Sequence, residues 1–213
     1  MSLIHEWYTH KRLETTKQAL EDRGFSVAIL PGNQAIAPFL RSRLNAAETI
    51  AFGGSLTCQE LGVQQFLIDN FAHVLNPYAS ALTMEQKIDL RRKGLLADVY
   101  ITGTNAITEN GLLVNMDMYG NRVGAIHFGP KRVFIFAGSN KIVPDLDCAV
   151  YRVRHIAAPK NAYRLQRPLP CAETGYCSDC SSRERICMVQ TVTYGSVPPG
   201  RITVCLLNQV LGL

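Results

Sequence analysis

The chain has 213 residues, enough for one full hydrophobic core, and 47% hydrophobic against 18% charged residues excludes a disordered or fibrous protein. Its net charge of +5 is spread over small groups, Arg91-Arg92-Lys93, Lys131-Arg132 and the stretch 152–167. These read as solvated surface rather than the concentrated basic stripe of a nucleic-acid binder.

Residues 1–24 read as an amphipathic helix, with Leu3, Trp7, Leu13, Ala19 and Leu20 on one face and Gly24 as its end. The first dozen residues lack the apolar core of a signal peptide, and no apolar run approaches the ~18 residues that span a bilayer. A cytoplasmic protein is therefore expected, with its seven cysteines reduced or bound to metal. Phe25–Leu30 reads as a strand closed by Pro31-Gly32-Asn33, and 34–44 as a helix. Thr49–Phe52 is a strand running into Gly53-Gly54-Ser55, after which Thr57 and Glu60 have the spacing of a capping box. Ala72–Leu75 is strand-like, Thr83 with Gln86 opens another helix to about Gly94, and Asp98–Ile101 is again a strand.

From Asn105 the pattern changes. Leu112–Asn115 and Val123–Ile126 read as antiparallel strands around a Gly120-Asn121 turn, Lys131–Ala137 as an apolar strand, and Asp145–Ala158 as a helix. After Gln166 regular periodicity is lost until Ile202–Leu207, an apolar strand delivered by Pro198-Pro199-Gly200. The alternation predicts an α/β fold with a mixed, mainly parallel sheet covered by helices. Its expected organisation is a main body over 1–166, a cysteine-rich segment over 167–200, and a final strand within 201–213 that returns to the main sheet.

Three constellations carry chemistry. Glycines at Gly53-Gly54-Ser55 let the backbone approach a ligand between a strand and a helix, at the edge where open α/β sheets bind ligands. The turn matches neither the phosphate-binding loop that ends in Lys nor the dinucleotide fingerprint, so no nucleotide cofactor is indicated. Residues 102–122 bring Asn105, Glu109, Asn115, Asp117, Asn121 and Arg122 to the same expected edge. Asn115 and Asp117 alternate within an apolar strand and so share a face; a buried carboxylate there needs a partner, which Arg122 or Lys131 supplies. Glu109 or Asp117 is a candidate general base, and Asn105, Asn115, Asn121 and Arg122 candidate ligand-binding groups. The third is Cys171, Cys177, Cys180 and Cys187, four thiols within seventeen residues. They suit a tetrahedral thiolate site for zinc or an iron–sulfur centre; the alternative is four unmetallated thiols. Cys58 is expected to be a buried thiol, Cys148 and Cys205 core residues, and His127 and His155 satisfied structural histidines.

The stretch from Asp98 to Arg164, containing TGTNAITENGLLVNMDMYGNRVGAIHFGP, resembles the signature half of the LUD (lactate utilisation) domain family. AFGGS followed by QELGV resembles the family's earlier glycine-containing turn, and CAETGYCSDCSSRERIC with PPGRITVCLLN resembles the end of its short stand-alone members. The resemblance implies a fold related to ribose-5-phosphate isomerase and coenzyme A transferases. It also implies a part in oxidising lactate to pyruvate alongside iron–sulfur partner proteins. The ferredoxin-type cysteine runs of the larger iron–sulfur members are absent from this sequence. Two readings stay open: a component that binds a small anionic metabolite between the Gly53–Ser55 turn and the 115–122 hairpin, with Arg122 pairing to the anion, and a non-catalytic subunit that docks an iron–sulfur partner through its cysteine-rich tail. Assembly as a homodimer is expected on general grounds.

Overall fold

The computed structural model describes residues 3–213; the expected start of the first helix at Met1 and Ser2 lies outside them. Helix α1 (Leu3–Glu21) buries Leu13 and Leu20, but Leu3 is 84% and Trp7 61% exposed. The anticipated apolar face therefore docks from Thr9 onwards and not over its first two turns. Strand β1 (Ser26–Leu30) follows, then helix α2 (Ile36–Arg43) and strand β2 (Ile50–Phe52). Two short helices, α3 (Leu56–Glu60) and α4 (Val63–Asn70), lead to β3 (Val74–Leu75). Helix α5 (Met84–Gly94) opens on the Thr83–Gln86 capping box, as its spacing predicts, and carries Arg91, Arg92 and Lys93 in its last turn, where cations suit the helix dipole.

Strands β4 (Val99–Gly103), β5 (Ala106–Thr108) and β6 (Leu113–Asp117) come next, then helix α6 (Asn121–His127) and strand β7 (Arg132–Gly138). The expected hairpin around Gly120-Asn121 is not formed. Val123–Ile126 belongs to α6, where Val123 and Ile126, three apart, share the buried face. Gly120 takes a left-handed conformation (φ 78°) immediately before the helix, which ends the strand without needing a returning partner. Four apolar residues fit either element, and only the tertiary partner decides.

Strand β8 (Ile142–Val143) precedes a helical run whose middle widens: α7 (Leu146–Tyr151), a π-helical turn over Arg152–Ala157, and α8 (Ala158–Arg164). The widening abuts Pro159, which has no N–H to continue the ordinary ladder. The tail is more ordered than its composition suggests. It holds the short helix α9 (Pro170–Thr174) and the strand β9 (Val189–Thr193), before β10 (Ile202–Leu207).

Six strands form one wholly parallel sheet in the order β1-β10-β7-β4-β2-β3, so the last strand inserts between the first and seventh. The antiparallel pairings lie in a second, four-stranded sheet, β8-β5-β6-β9, in which only β5 and β8 run parallel. Alternation along the main strands feeds two apolar layers. Val133, Ile135 and Ala137 of β7 pack with Ile202, Val204 and Leu206 of β10 beneath α1 and α6. Phe134 and Phe136 point the other way, to Leu40 of α2 and Leu67 of α4. Covering both faces explains the continuous apolar runs of these strands; truncating the fully buried Phe136 to alanine costs about 3–5 kcal/mol.

Candidate functional site

Three neighbouring strands of the parallel sheet, β7, β4 and β2, end side by side, and their C-terminal turns are Ser139–Lys141, Thr104-Asn105 and Gly53–Ser55. The approach is tight. A Cβ on Gly103 would lie 2.5 Å from Ser55 Oγ, and one on Gly53 would lie 2.8 Å from Thr102 Oγ1, so a side chain at either position would displace a hydroxyl of the turn. Ser55, not Thr57, caps α3: its Oγ accepts from the Cys58 amide at 3.2 Å. The Thr57/Glu60 box is not formed. Thr57 is buried and accepts from the Lys141 amine, while Glu60 accepts from the Gly212 amide at 2.6 Å.

Beside this edge the second constellation closes on itself. Arg122 Nε donates to Asp117 Oδ1 at 2.9 Å, Nη1 to Asn115 Oδ1 (2.5 Å) and Gly103 O (3.0 Å), and Nη2 to Asn105 Oδ1 (2.7 Å) and Met116 O (3.0 Å). A guanidinium has five N–H groups, and all five are engaged by the protein. Asp117 Oδ2 accepts from the Val123 amide, which starts α6. Asn115 Oδ1 also accepts from Thr104 Oγ1 and the Asn105 amide. The sequence expectation thus holds for the gathering of Asn105, Asn115, Asp117 and Arg122. It fails for the role of Arg122, which braces the turns and has no donor left for an anion. Glu109 stands apart: it pairs with Arg12 Nε at 2.6 Å and does not line the cavity, so it is removed as a candidate base. Lys131 pairs with Asp98 on the surface, leaving Asp117 to Arg122 alone.

A cavity of about 260 Å³ lies over these turns. Gly54, Ser55, Asn105, Asp117, Asn121 and Arg122 reach it, whereas Gly53 and Asn115 stand behind it. Four cationic residues that the sequence did not single out also line it: Arg91, Lys141, Arg164 and Arg167. The 91–93 group is a solvated face only at Arg92 and Lys93. The Arg91 guanidinium lies between the rings of Tyr78 and Tyr119, 5.9 and 5.4 Å from their centroids, and its Nη1 is buried with no protein partner. Lys141 is 5% exposed, and its Nζ donates to Thr57 Oγ1 at 2.7 Å and Thr104 O at 3.0 Å. Burial, followed by the charge of Arg152, lowers its pKa to about 7. Burial also raises the pKa of Tyr78, which lines the cavity, and of Tyr100 on β4. Against five lining cations the cavity presents one side-chain carboxylate, Asp117.

The cysteine-rich tail forms one wall, since Arg167 and Ile186 line the cavity while Ile186 packs with Ala162, Leu169, Cys171 and Cys180. Cys171 has its pKa raised, first by burial and then by the neighbouring thiols of Cys177, Cys180 and Cys187. Arg185 Nε lies 3.3 Å from Cys187 Sγ. The four thiols are near one another, but among the described residues no group of three His, Cys, Asp or Glu side chains is gathered to hold a metal ion. Cys58 and Cys205 are buried as expected, with the Cys58 thiol pushed up to about 11 by burial. Cys148 is a correction: it is exposed, one turn into α7, behind the Asp145 cap. His127 is satisfied by Val123 O and Thr193 Oγ1; His155 stacks on Tyr151 but leaves Nδ1 without a partner. No helix among the described residues is long and apolar enough to cross a membrane.

A family model described as the LUD domain matches residues 13–207 of the chain. The crystal structure of a DUF162 family protein from Deinococcus radiodurans aligns with a TM-score of 0.52 at 15% identity, covering 93% of this chain and 97% of that one. No curated protein matches the sequence.

Proposed function

This chain belongs to the LUD domain family, and on that premise we propose that it serves lactate utilisation by binding a small 2-hydroxy or 2-oxo acid in the cavity at the ends of β2, β4 and β7. The observation that carries the reading is a cavity lined by five cationic residues and one side-chain carboxylate, with the Arg91 guanidinium between Tyr78 and Tyr119 and its Nη1 lacking a protein partner. A buried donor with no partner is costly, and an anionic ligand relieves that cost. Arg91 is held in place by Tyr78 and Tyr119 before any ligand arrives, so little ordering is needed on binding. Asp117 and Asn121 are then polar groups within reach of the ligand, and Arg122 positions Asp117. Calorimetric titration with pyruvate and with L-lactate tests this. Binding that weakens at least about tenfold in Arg91→Ala, with the fold intact, supports it. Unchanged binding in that variant removes Arg91, and absence of binding to both acids removes the ligand class.

A second reading draws on the tail. In this reading the chain is a non-catalytic subunit, and because the cysteine-rich segment shares Ile186 with the cavity wall, an iron–sulfur partner docked on that segment would lie beside the cavity. Capture of such a partner that depends on Cys177 and Cys180, without any small-molecule binding, favours this reading over the first.

A further inference from the structure

Lys141 differs from the other six lysines of the chain. It is buried at the C-terminal end of β7, and no carboxylate forms an ion pair with it among the described residues. Its environment offers two acceptors, Thr57 Oγ1 and Thr104 O. Behind it the chain closes tightly, since a Cβ on Gly212 would come within 3.4 Å of its Nζ. A neutral amine has two N–H groups and one lone pair, so two acceptors satisfy it completely. An ammonium in the same place keeps a third N–H that the protein does not meet. The remaining tetrahedral position is left for the cavity that Lys141 lines.

The charged and titratable groups around it come from three segments. Arg152 of the π-helical turn and Arg122 of α6 disfavour the ammonium, while Cys58 and Glu60 of α3 favour it more weakly than burial opposes it. The amine is therefore half neutral near pH 7. An amine that is both uncharged and facing a ligand cavity is a nucleophile.

We infer that Lys141 forms a covalent imine with the carbonyl carbon of a 2-oxo acid bound in the cavity. The nitrogen lone pair forms the N–C bond as the carbonyl π pair moves to oxygen, which takes the proton released by nitrogen. The nitrogen lone pair of the carbinolamine then forms the C=N bond as the C–O bond breaks, and the leaving hydroxyl takes the second proton of nitrogen and departs as water. Amine and oxo acid are converted to imine and water, and no oxidant or reductant is required. The Thr57 hydroxyl, 2.7 Å from Nζ, is placed to pass the proton between nitrogen and oxygen. Arg91 is placed to hold the acid's carboxylate. The identity of the carbonyl compound rests on the ligand reading above; the reactivity of the amine does not.

The full-length protein is incubated with borohydride and either pyruvate or pyridoxal 5′-phosphate, the second serving as a general aldehyde probe, and the labelled lysines are located by peptide mapping. At pH 7.5 Lys141 is expected to carry at least about tenfold more label than exposed Lys131 or Lys160, because its neutral fraction is far larger. Labelling should rise through about pH 7 and level off above it, a profile that a purely structural lysine does not give. Label at Lys141 with both reagents supports the nucleophile and the oxo acid together. Label with pyridoxal phosphate alone supports the nucleophile and overturns pyruvate as its partner. Labelling of Lys141 no faster than Lys160 by either reagent overturns the inference, even where calorimetry shows that pyruvate binds. Lys141→Arg is expected to abolish the label. Mapping of the wild-type chain decides the matter even if that variant does not fold.

Discussion

Replacing Lys141 by methionine should change how stability depends on pH, in a direction set by the buried amine. In the unfolded chain the amine has its ordinary pKa of 10.5, and in the folded chain about 7. Above pH 10.5 neither state holds the proton and the residue is neutral in both. As pH falls from 10.5 towards 7 the unfolded chain takes up a proton that the folded chain refuses, so the folded state loses about 1.4 kcal/mol per pH unit. Below about pH 7 both states are protonated and the full penalty, about 5 kcal/mol, stays constant. Methionine fills a similar volume and carries no charge, so the variant escapes this penalty while leaving Thr57 and Thr104 short of a donor. Urea unfolding of both proteins at pH 6, 7, 8 and 9 isolates the effect, since every other titrating group is common to the pair. The stability of the variant relative to wild type should be greatest at pH 6–7 and fall by about 2 kcal/mol between pH 7 and 9. Parallel pH profiles would mean that the amine titrates normally in the fold, and the case for its being neutral near pH 7 would be lost.

Arg122→Met should destabilise the protein by about 3–5 kcal/mol in urea, because it leaves Asp117 buried without its ion pair; Arg122→Lys should recover only part of this, a point charge being unable to reproduce the five-donor fork. An unfolding midpoint unchanged by Arg122→Met would refute the brace. Glu109→Gln should leave ligand affinity unchanged in calorimetry and cost no more than about 1 kcal/mol, since its pair with Arg12 is partly solvated and remote from the cavity. A marked loss of affinity there would return Glu109 to the site. With a thiol reagent at pH 8, exposed Cys148 should react in the folded protein, slowed by the Asp145 carboxylate that raises its pKa, and Cys58 and Cys205 only on unfolding. Prompt reaction of the four tail thiols marks them as unmetallated, whereas reaction only after a chelator marks a bound metal, whose zinc or iron content then separates a structural clip from a redox centre.

The main sheet was readable because its strands are buried on both faces. Val133–Ala137 is apolar throughout and Ile202–Leu207 is broken only by Thr203, runs that a parallel sheet covered on both faces buries. Errors occurred where a short window had no face to declare. Val123–Ile126 satisfies a strand or a helix equally, and Val189–Thr193, half apolar and threonine-rich, becomes a strand only because β6 has a free edge beside it. The N-terminal helix shows the opposite failure: Leu3 and Trp7 have the right spacing for a buried face but extend past the body they were expected to cover.

The candidate site was half legible for a related reason. Polar residues that crowd one stretch of sequence are conspicuous, and for the same reason they can reach one another. Asn105, Asn115, Asp117 and Arg122, all within eighteen positions, spend most of their hydrogen-bonding capacity on each other and on the local backbone, although Asn115 Nδ2 is buried without a partner. Apart from Asp117 as an acceptor they have little left for a ligand, so their density signals a rigid frame. The groups with capacity to spare come from far apart in the chain. Arg91 sits in the last turn of α5, in a basic triplet that reads as solvated surface, and Lys141 follows β7, outside the polar stretch 102–122. Each is brought to the cavity by the order of the parallel strands, Arg91 with a buried donor unmet and Lys141 with two acceptors where an ammonium needs three. Unspent capacity on a frame that cannot shift to meet it is what lets a site bind and react, and that surplus depends on tertiary placement, which local sequence density does not report.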